Sequence, residues 1–365
     1  MAEPEKTVTV IQATAILVST IIGVGVLPLP LFAVEAAETG APLATLTAIG
    51  VASVGLFLTT LLGMRFPGMS FVRMSESVVG RWPSVLGSAA IVVFFALLTA
   101  LAAREFGTVV VTSVLKNTPI EVTVIVMLLL ATLSARSDMR SFSYMHMFYL
   151  PIVLFPALII VVLSLKNSNM LYLLPVMGNH RPHFIEGVLT IAALFQGFFV
   201  MTIVIPAMRR PEKAMIAGAF GMAIAGGLYL LTVVAVVAVF GPMETKNLLW
   251  PTLELAKTTA LPANVLERLD AAFLSVWVTA VFTTLLSSYF LTVFTLRELL
   301  RLGDHRLFTF ALLPIVFTIA MLPANVFELY RIIEIVGGIG LLLTIGYPGL
   351  LLLVALLRGQ RGERA

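Results

Sequence analysis

The residues of this chain that could hold a small molecule lie inside long apolar stretches, beginning with TIIGVGVLPLP at residues 20–30. Its glycines, together with Pro28 and Pro30, do not fit a regular helix, because glycine lowers helix propensity and proline lacks an amide hydrogen. Residues 7–34 carry no charged side chain, so the predicted break lies at membrane depth, where free backbone groups must face protein, water or a ligand. Broken helices hold small substrates and ions in membrane transporters; the alternative is a kink that serves packing alone.

A second break is predicted in GVLTIAALFQGFFVMTIVIPAM, residues 187–208. Gln196 and Gly197 place an uncharged amide and a glycine near the centre of this apolar stretch, and Pro206 lies near its inner end. If the two halves of the chain are inverted repeats, the sixth span corresponds to the first and is interrupted as well.

Arg104 and Glu105 form a charged pair inside the third apolar stretch. A charge within a membrane span costs at least about 2.5 kcal/mol on insertion scales, so both side chains are expected to face the interior of the bundle. Adjacent helical residues point about 100° apart, so each is expected to have another partner. The functional interpretation is an outer gate or a site that contacts a carboxylate. The alternative is that both side chains extend to the outer interface near Lys116.

Hydroxyl side chains concentrate in the eighth apolar stretch, where Thr284 and Ser288 are four residues apart and share one helix face. Such a face can line a substrate or cation site, or it can hold helices together by hydrogen bonds. Phe94 and Leu98, also four apart, could supply an apolar wall. For each of these two side chains taken alone, ordinary core packing is the alternative.

Several classes of chemistry are excluded by the sequence. The chain has no cysteine and only four histidines, two of which, His180 and His183, lie in a loop. It also lacks a nucleophile motif, a phosphate-binding lysine loop and an HExxH motif. We therefore predict no enzyme activity, no metal and no cofactor. His146 is interpreted as a polar residue close to a loop at the inner end of the fifth span, with a proton carrier as the alternative. The first interpretation leaves no obvious proton relay in the membrane.

Composition defines the class of protein. Of the 365 residues, 59% are hydrophobic and 12% are charged, with a mean hydropathy of +1.05, which is typical of a polytopic protein of the lipid bilayer. The net charge of +4 does not indicate a nucleic-acid partner, because the basic residues fall in short loops. Ten stretches lack Asp, Glu, Lys and Arg and predict ten spans: 7–34, 39–64, 82–103, 122–135, 141–165, 187–208, 214–243, 271–296, 307–327 and 335–357.

Basic residues predict how these ten helices are oriented. With the loops taken alternately, one side collects fifteen Lys and Arg residues and the other seven. The richer side is expected to be cytoplasmic, which places both termini inside. We expect residues 1–365 to form one all-α membrane domain of five plus five helices, with one repeat over about 7–165 and the other over about 183–357. Residues 244–270 form the predicted outer loop.

Four segments carry a resemblance to one family: STIIGVGVLPLP, NTPIEV, LLWPTLELAK and VLERLDAAFLSVWVTAVFTTLLSSYF. They resemble the B subunits of bacterial spore germinant receptors, the endospore germination permeases. That family belongs to the amino acid, polyamine and organocation (APC) transporter superfamily. The resemblance implies the LeuT-like inverted-repeat fold, in which helices one and six are broken.

The resemblance also implies a function. Such a subunit senses a nutrient, usually an amino acid or a sugar, and works with an A subunit and a lipoprotein C subunit in the spore inner membrane, the bacterial cytoplasmic membrane. The alternatives are an amino acid permease working by alternating access and a scaffold without a ligand. The sequence departs from the pattern of transporters with this fold in two respects. The sixth helix lacks a GxG-like break, and the fifth helix has no lysine for proton coupling.

Ligand-binding positions follow from the resemblance, because the ligand of this fold lies between helices one, three, six and eight. The amino and carboxyl groups of an amino acid would meet the broken backbone, the ligand side chain would meet the third helix, and the eighth helix would close the far wall. The corresponding residues are Thr20, Gly23, Val24, Gly25, Gln196 and Gly197 for the backbone, Phe94 and Leu98 for the third helix, and Thr284 and Ser288 for the eighth.

Overall fold

Ten apolar spans make up the computed structural model, which describes residues 6–178, 184–259 and 269–362. Within these residues, six helices are long and apolar enough to cross a membrane, one further pair is bent by 43°, and three apolar helices are shorter. One of the six runs from Leu29 to Arg65, and its first part, Leu29–Ala37, belongs with the short helix Val10–Ile21 to span one. With the bent pair counted as one span, the total is ten. His180 and His183, and residues 260–268 of the predicted outer loop, lie outside the described residues.

Spans one to five occupy the first half of the chain, and an amphipathic helix, α4, connects spans two and three. Span one consists of α1 and α2, and spans two to five are α3, α5, α6 and α7. The bounds are α1 Val10–Ile21, α2 Leu29–Ala37, α3 Ala41–Arg65, α4 Phe71–Val79, α5 Arg81–Ser113, α6 Ile120–Ser134 and α7 Met139–Ser164.

Spans six to ten follow the connection between the halves. Span six consists of α8 and α9, span ten of α14 and α15, and α11 is a short helix between spans seven and eight. The bounds are α8 Phe184–Ala193, α9 Met201–Val204, α10 Ala214–Thr245, α11 Pro251–Thr258, α12 Leu269–Leu299, α13 Arg306–Ala320, α14 Val326–Leu341 and α15 Tyr347–Leu357.

The predicted break of span one is confirmed. α1 ends at Ile21, a single 3-10 turn covers Val24–Val26, and α2 begins after Pro28. Pro30 lies in the first turn of α2, where the missing amide hydrogen costs no helical bond. Gly23 packs directly against the hydroxyl of Thr284, so a Cβ atom at this position would clash with it. The glycine therefore permits the close approach of span one to span eight.

The predicted break of span six is confirmed as well. α8 ends at Ala193 and a 3-10 segment covers Gln196–Val200. A Cβ atom at Gly197 would lie 3.0 Å from both the Cγ2 atom and the carbonyl oxygen of Thr20. The two breaks therefore touch each other at the centre of the bundle.

Burial explains why the hydroxyl residues concentrate in α12. This helix packs against α1, α5 and α7. Of the residues in its apolar part, 72% are buried inside the protein, compared with 22% in the span that contains α7. Interior helices in a membrane need polar partners among themselves, whereas lipid-facing helices need only apolar surface.

α11 lies in the segment KNLLWPTLELAKTTAL, which is predicted to lie on the membrane surface or to fold over the entrance. Leu253 and Leu255 of α11 are fully buried, and the hydroxyl of Thr252 donates a 2.7 Å hydrogen bond to the carbonyl of Val26 in the break of span one. α11 also contacts α2, α7, α10 and α12. It therefore covers the end of the bundle that is predicted to face outside, called the outer end below.

Candidate functional site

A cavity of about 960 Å³, its mouth included, lies where the two broken spans meet α5, α12 and α14. Eight of the ten predicted ligand-binding residues line it: Thr20, Val24, Gly25, Leu98, Gln196, Gly197, Thr284 and Ser288. We call it the central cavity.

Gly23 and Phe94 are placed next to the central cavity rather than on its wall. Gly23 packs against Thr284, as described above. Phe94 is 3% exposed and packs against Phe95 with ring centroids 4.8 Å apart, and it also lies against Gly340. The neighbouring Phe95 lines the cavity instead, because consecutive residues of a helix point about 100° apart.

Hydroxyl groups from neighbouring spans satisfy the carbonyl groups at the end of α1. A broken helix leaves its last carbonyl groups without intrahelical partners, and at membrane depth these need other donors. The donors come from spans seven and eight: Tyr229 to Ile21 at 2.7 Å, Thr283 to Ser19 at 2.9 Å, and Thr284 to Thr20 at 3.0 Å.

His146 connects spans one, five and eight. Its Nδ1 atom lies 2.6 Å from the hydroxyl of Ser19, and its Nε2 atom lies 3.1 Å from the hydroxyl of Ser287, which in turn lies 2.6 Å from the hydroxyl of Thr20. His146 is fully buried and lies beside the end of α1, deeper in the bundle than the expected position close to a loop. It follows the first residue of α7 by seven positions, a rise of about 10 Å.

Gln196 is held at the break of span six with one of its two polar atoms unused. Its Nε2 atom donates a 2.6 Å hydrogen bond to the carbonyl of Gly337, and because a carbonyl can only accept, this bond fixes the orientation of the amide. The Oε1 atom is buried and has no hydrogen-bond partner within the described chain.

Arg104 and Glu105 have separate partners. Arg104 is half-buried and donates a 2.8 Å hydrogen bond to the carbonyl of Pro323, beyond the end of α13. Glu105 is 3% exposed, lines the central cavity and accepts a 3.2 Å hydrogen bond from Tyr330. Only Glu105 is therefore placed to act on a molecule in the cavity.

A chain of hydrogen bonds joins the central cavity to α11. Trp250, which precedes α11, donates from Nε1 to the hydroxyl of Tyr330 at 2.8 Å, and Tyr330 donates to Glu105. The ring of Tyr330 also meets the ring of Phe32 edge to face, with centroids 5.8 Å apart. Trp250 and Tyr330 are not among the residues predicted from the sequence.

A second cavity of about 1080 Å³ lies at the opposite, inner end of the bundle. On its wall the buried carboxylate of Glu298 forms ion pairs with Arg297 at 3.0 Å and Arg73 at 3.5 Å and accepts a 2.8 Å hydrogen bond from Ser70. These contacts connect α4 to α12. The segment 71–79 could have been recognised from the spacing of Phe71, Met74 and Val78, which places them on one face of an amphipathic helix.

Two titratable groups beside this inner cavity lie outside the membrane spans. Asp138 caps α7, and its hydrogen bonds from Ser141 lower the pKa of its carboxyl group. His305 precedes α13, and burial lowers the pKa of its imidazole. Among the described residues, no group of three or more His, Cys, Asp or Glu side chains could hold a metal ion.

The fold belongs to a known class of membrane proteins. The solved structure of MhsT in complex with L-phenylalanine matches with a TM-score of 0.73 over 98% of this chain and 91% of that chain, at 12% sequence identity. At this identity the likeness concerns the fold alone. Within the described residues the chain is all-α and has the LeuT-like fold, which confirms the predicted architecture.

The family is shown by the sequence. The model of the spore germination protein family matches residues 7–328, so the chain belongs to that family. It is 24% identical to spore germination protein YndE of Bacillus subtilis over all of both chains, and 27% identical to spore germination protein B2 of the same organism over 90% of each. It is also 27% identical to GerLB of Bacillus cereus, over 84% of this chain and 83% of that protein.

Proposed function

We propose that this member of the spore germination protein family is the nutrient-sensing membrane subunit of a germinant receptor. The supporting observation is the central cavity, which forms where the breaks of spans one and six touch. A small molecule bound there would contact both broken spans and α12 together. It would shift the bundle toward the state that it binds more tightly, to the extent of the difference in affinity.

The proposed ligand is an amino acid, with a sugar as the alternative nutrient. Its amino and carboxyl groups would meet the broken backbone, as the resemblance implies. The wall provided by α5 is largely apolar, with Phe95 and Leu98 facing the cavity, and favours a compact hydrophobic side chain. The solved protein of the same fold is described with an amino acid, L-phenylalanine, which supports this choice.

The proposed partners are a receptor A subunit and a lipoprotein C subunit. Relatives of this chain include spore germination proteins A2 and B2 of Bacillus subtilis, which supports assembly with other germination proteins. The proposed location is the spore inner membrane with both termini in the cytoplasm, because fifteen of the basic residues fall on that side of the predicted topology and seven on the other. We propose no enzyme activity and no cofactor.

A thermal-unfolding screen tests the binding function. The purified full chain is heated in detergent with each common amino acid and with several sugars, and its unfolding temperature is measured. The variants Gly25→Trp and Gly50→Trp are treated in the same way. A Cβ atom at Gly25 points at the flexible end of Leu194, 3.2 Å away, whereas Gly50 has nothing within 4 Å.

At a hundredfold its dissociation constant, a ligand stabilises the folded chain by about 2.7 kcal/mol. We expect one amino acid to stabilise the wild type and Gly50→Trp but not Gly25→Trp. Equal stabilisation of all three proteins would contradict the site.

Transport by alternating access is the second candidate function. It is favoured by the presence of two cavities, the central cavity lined by the broken spans and the inner cavity with Glu298 and its arginines on its wall. Uptake of labelled amino acid into liposomes by the purified chain alone would support the permease. A response in spores that requires the A and C subunits would support the sensor.

A further inference from the structure

The central cavity is lined by acidic side chains and, among the described residues, by no basic side chain. Glu105 lies in its wall and Glu334 at its mouth, whereas none of the described residues that line it is Lys, Arg or His. A buried carboxylate is costly unless a cation or several hydrogen bonds compensate it. A positively charged group on a ligand would therefore supply the compensation that the cavity itself does not provide.

Glu105 has acceptor capacity to spare. Its one hydrogen bond within the described residues comes from Tyr330 at 3.2 Å, whereas a carboxylate can accept about four. Tyr330 itself accepts from Trp250, so its single proton is the one given to Glu105. The adjacent Arg104 donates to Pro323 instead.

The polar atoms nearest the broken spans also favour a ligand group that donates hydrogen bonds. The Oε1 atom of Gln196 is buried without a partner. The hydroxyls of Thr284 and Ser288 already donate to the carbonyls of Thr20 and Thr284, each at 3.0 Å. Ser288 also accepts a 2.8 Å hydrogen bond from Thr99. What remains on these three side chains is capacity to accept further hydrogen bonds.

We propose that Glu105 binds the ammonium group of the ligand, so that the cavity takes primary amines and amino acids through their amino group. An ammonium group offers three donors and no acceptor, which matches the spare acceptor capacity of the Glu105 carboxylate. A carboxyl group on the ligand is then not required, and an uncharged sugar is excluded. This inference rests on the proposed function, since it concerns the ligand of the same cavity, and it assigns the amino group to Glu105 rather than to the broken backbone.

The test compares probes that share an alkyl chain and carry an amino group, a carboxyl group or both. The full chain is purified in detergent, and binding is measured by thermal shift and by calorimetric titration. One series is leucine, isoamylamine and 4-methylpentanoate; a smaller series is alanine, ethylamine and propanoate; glucose is the uncharged probe. The variants are Glu105→Gln and, as a matched control, Glu121→Gln, an exposed acid outside the cavity.

In the wild type and in Glu121→Gln, we expect the amino acid and the amine of at least one series to bind, and the acid and glucose not to bind. In Glu105→Gln, binding of the amine falls at least tenfold. If Glu105→Gln does not fold, the comparison of probes on the wild type decides alone.

The contrary outcomes separate the two proposals. Binding of the acid or of glucose as tightly as the amine overturns the ammonium site, and so does binding of the amine by Glu105→Gln within twofold of the wild type; in both cases binding in the cavity stands. If no probe, no other common amino acid and no sugar binds, the proposed function fails and the ammonium site fails with it.

Discussion

The hydroxyl of Tyr229 in span seven donates a 2.7 Å hydrogen bond to the carbonyl of Ile21, the last residue of α1. Both residues are almost completely buried. The contact joins the two repeats and supplies a donor that the helix itself cannot provide after it breaks. The break of span one is therefore part of the packed core and is held in one conformation by side chains from other spans.

Tyr229→Phe tests this role. The substitution removes the donor and leaves a buried carbonyl unpaired, which should lower the free energy of unfolding by about 1–3 kcal/mol. The measurement is thermal unfolding of the purified protein in detergent. Tyr144→Phe is the matched control, because Tyr144 is 54% exposed. Equal stability of the two variants would show that the hydrogen bond contributes nothing.

A double-mutant cycle tests the contact between Ser19 and His146. The two side chains lie 2.6 Å apart inside the bundle, so Ser19→Ala and His146→Leu should each destabilise the protein. Their effects should not add, with a coupling energy of about 0.5–3 kcal/mol, as expected for buried groups in direct contact. Unfolding of the wild type, both single variants and the double variant gives this value. A coupling of zero would contradict the contact.

A dependence on pH is expected from His305. Burial lowers its pKa in the folded chain, whereas an unfolded histidine titrates near pH 6.5. The unfolded chain therefore binds the proton more readily, and stability falls as the pH drops below about 6.5. Melting temperatures between pH 7.5 and 5.5 should decrease less in His305→Asn than in the wild type. An identical decrease in both proteins would assign the effect to other groups.

The spans and their breaks could be predicted because their causes are local. The glycines and prolines of residues 20–30 cannot continue a helix, and uninterrupted apolar stretches of sufficient length have few alternatives to a membrane span. The face shared by Thr284 and Ser288 also follows from helical spacing.

Other parts of the site depend on contacts between spans, which the spacing of residues along the sequence does not reveal. A four-residue interval identifies a helix face but not which face meets the cavity, so Phe95 lines the wall where Phe94 was expected. The depth of His146 depends on where α7 begins and on how spans one and eight pack against it. The hydrogen bond between Glu105 and Tyr330 joins residues 225 positions apart, a relation that a single sequence does not display.

Ligand protection of single cysteines tests the central claim most directly, because the chain contains no cysteine of its own. Leu98→Cys places a thiol on the wall of the central cavity, and Met177→Cys places one on the exposed connection between the repeats. Both variants are treated with a small maleimide, with and without a mixture of the common amino acids. We expect the mixture to slow modification of Leu98→Cys at least tenfold and to leave Met177→Cys unchanged. Equal rates at Leu98→Cys with and without the mixture would contradict an amino acid site between the broken spans.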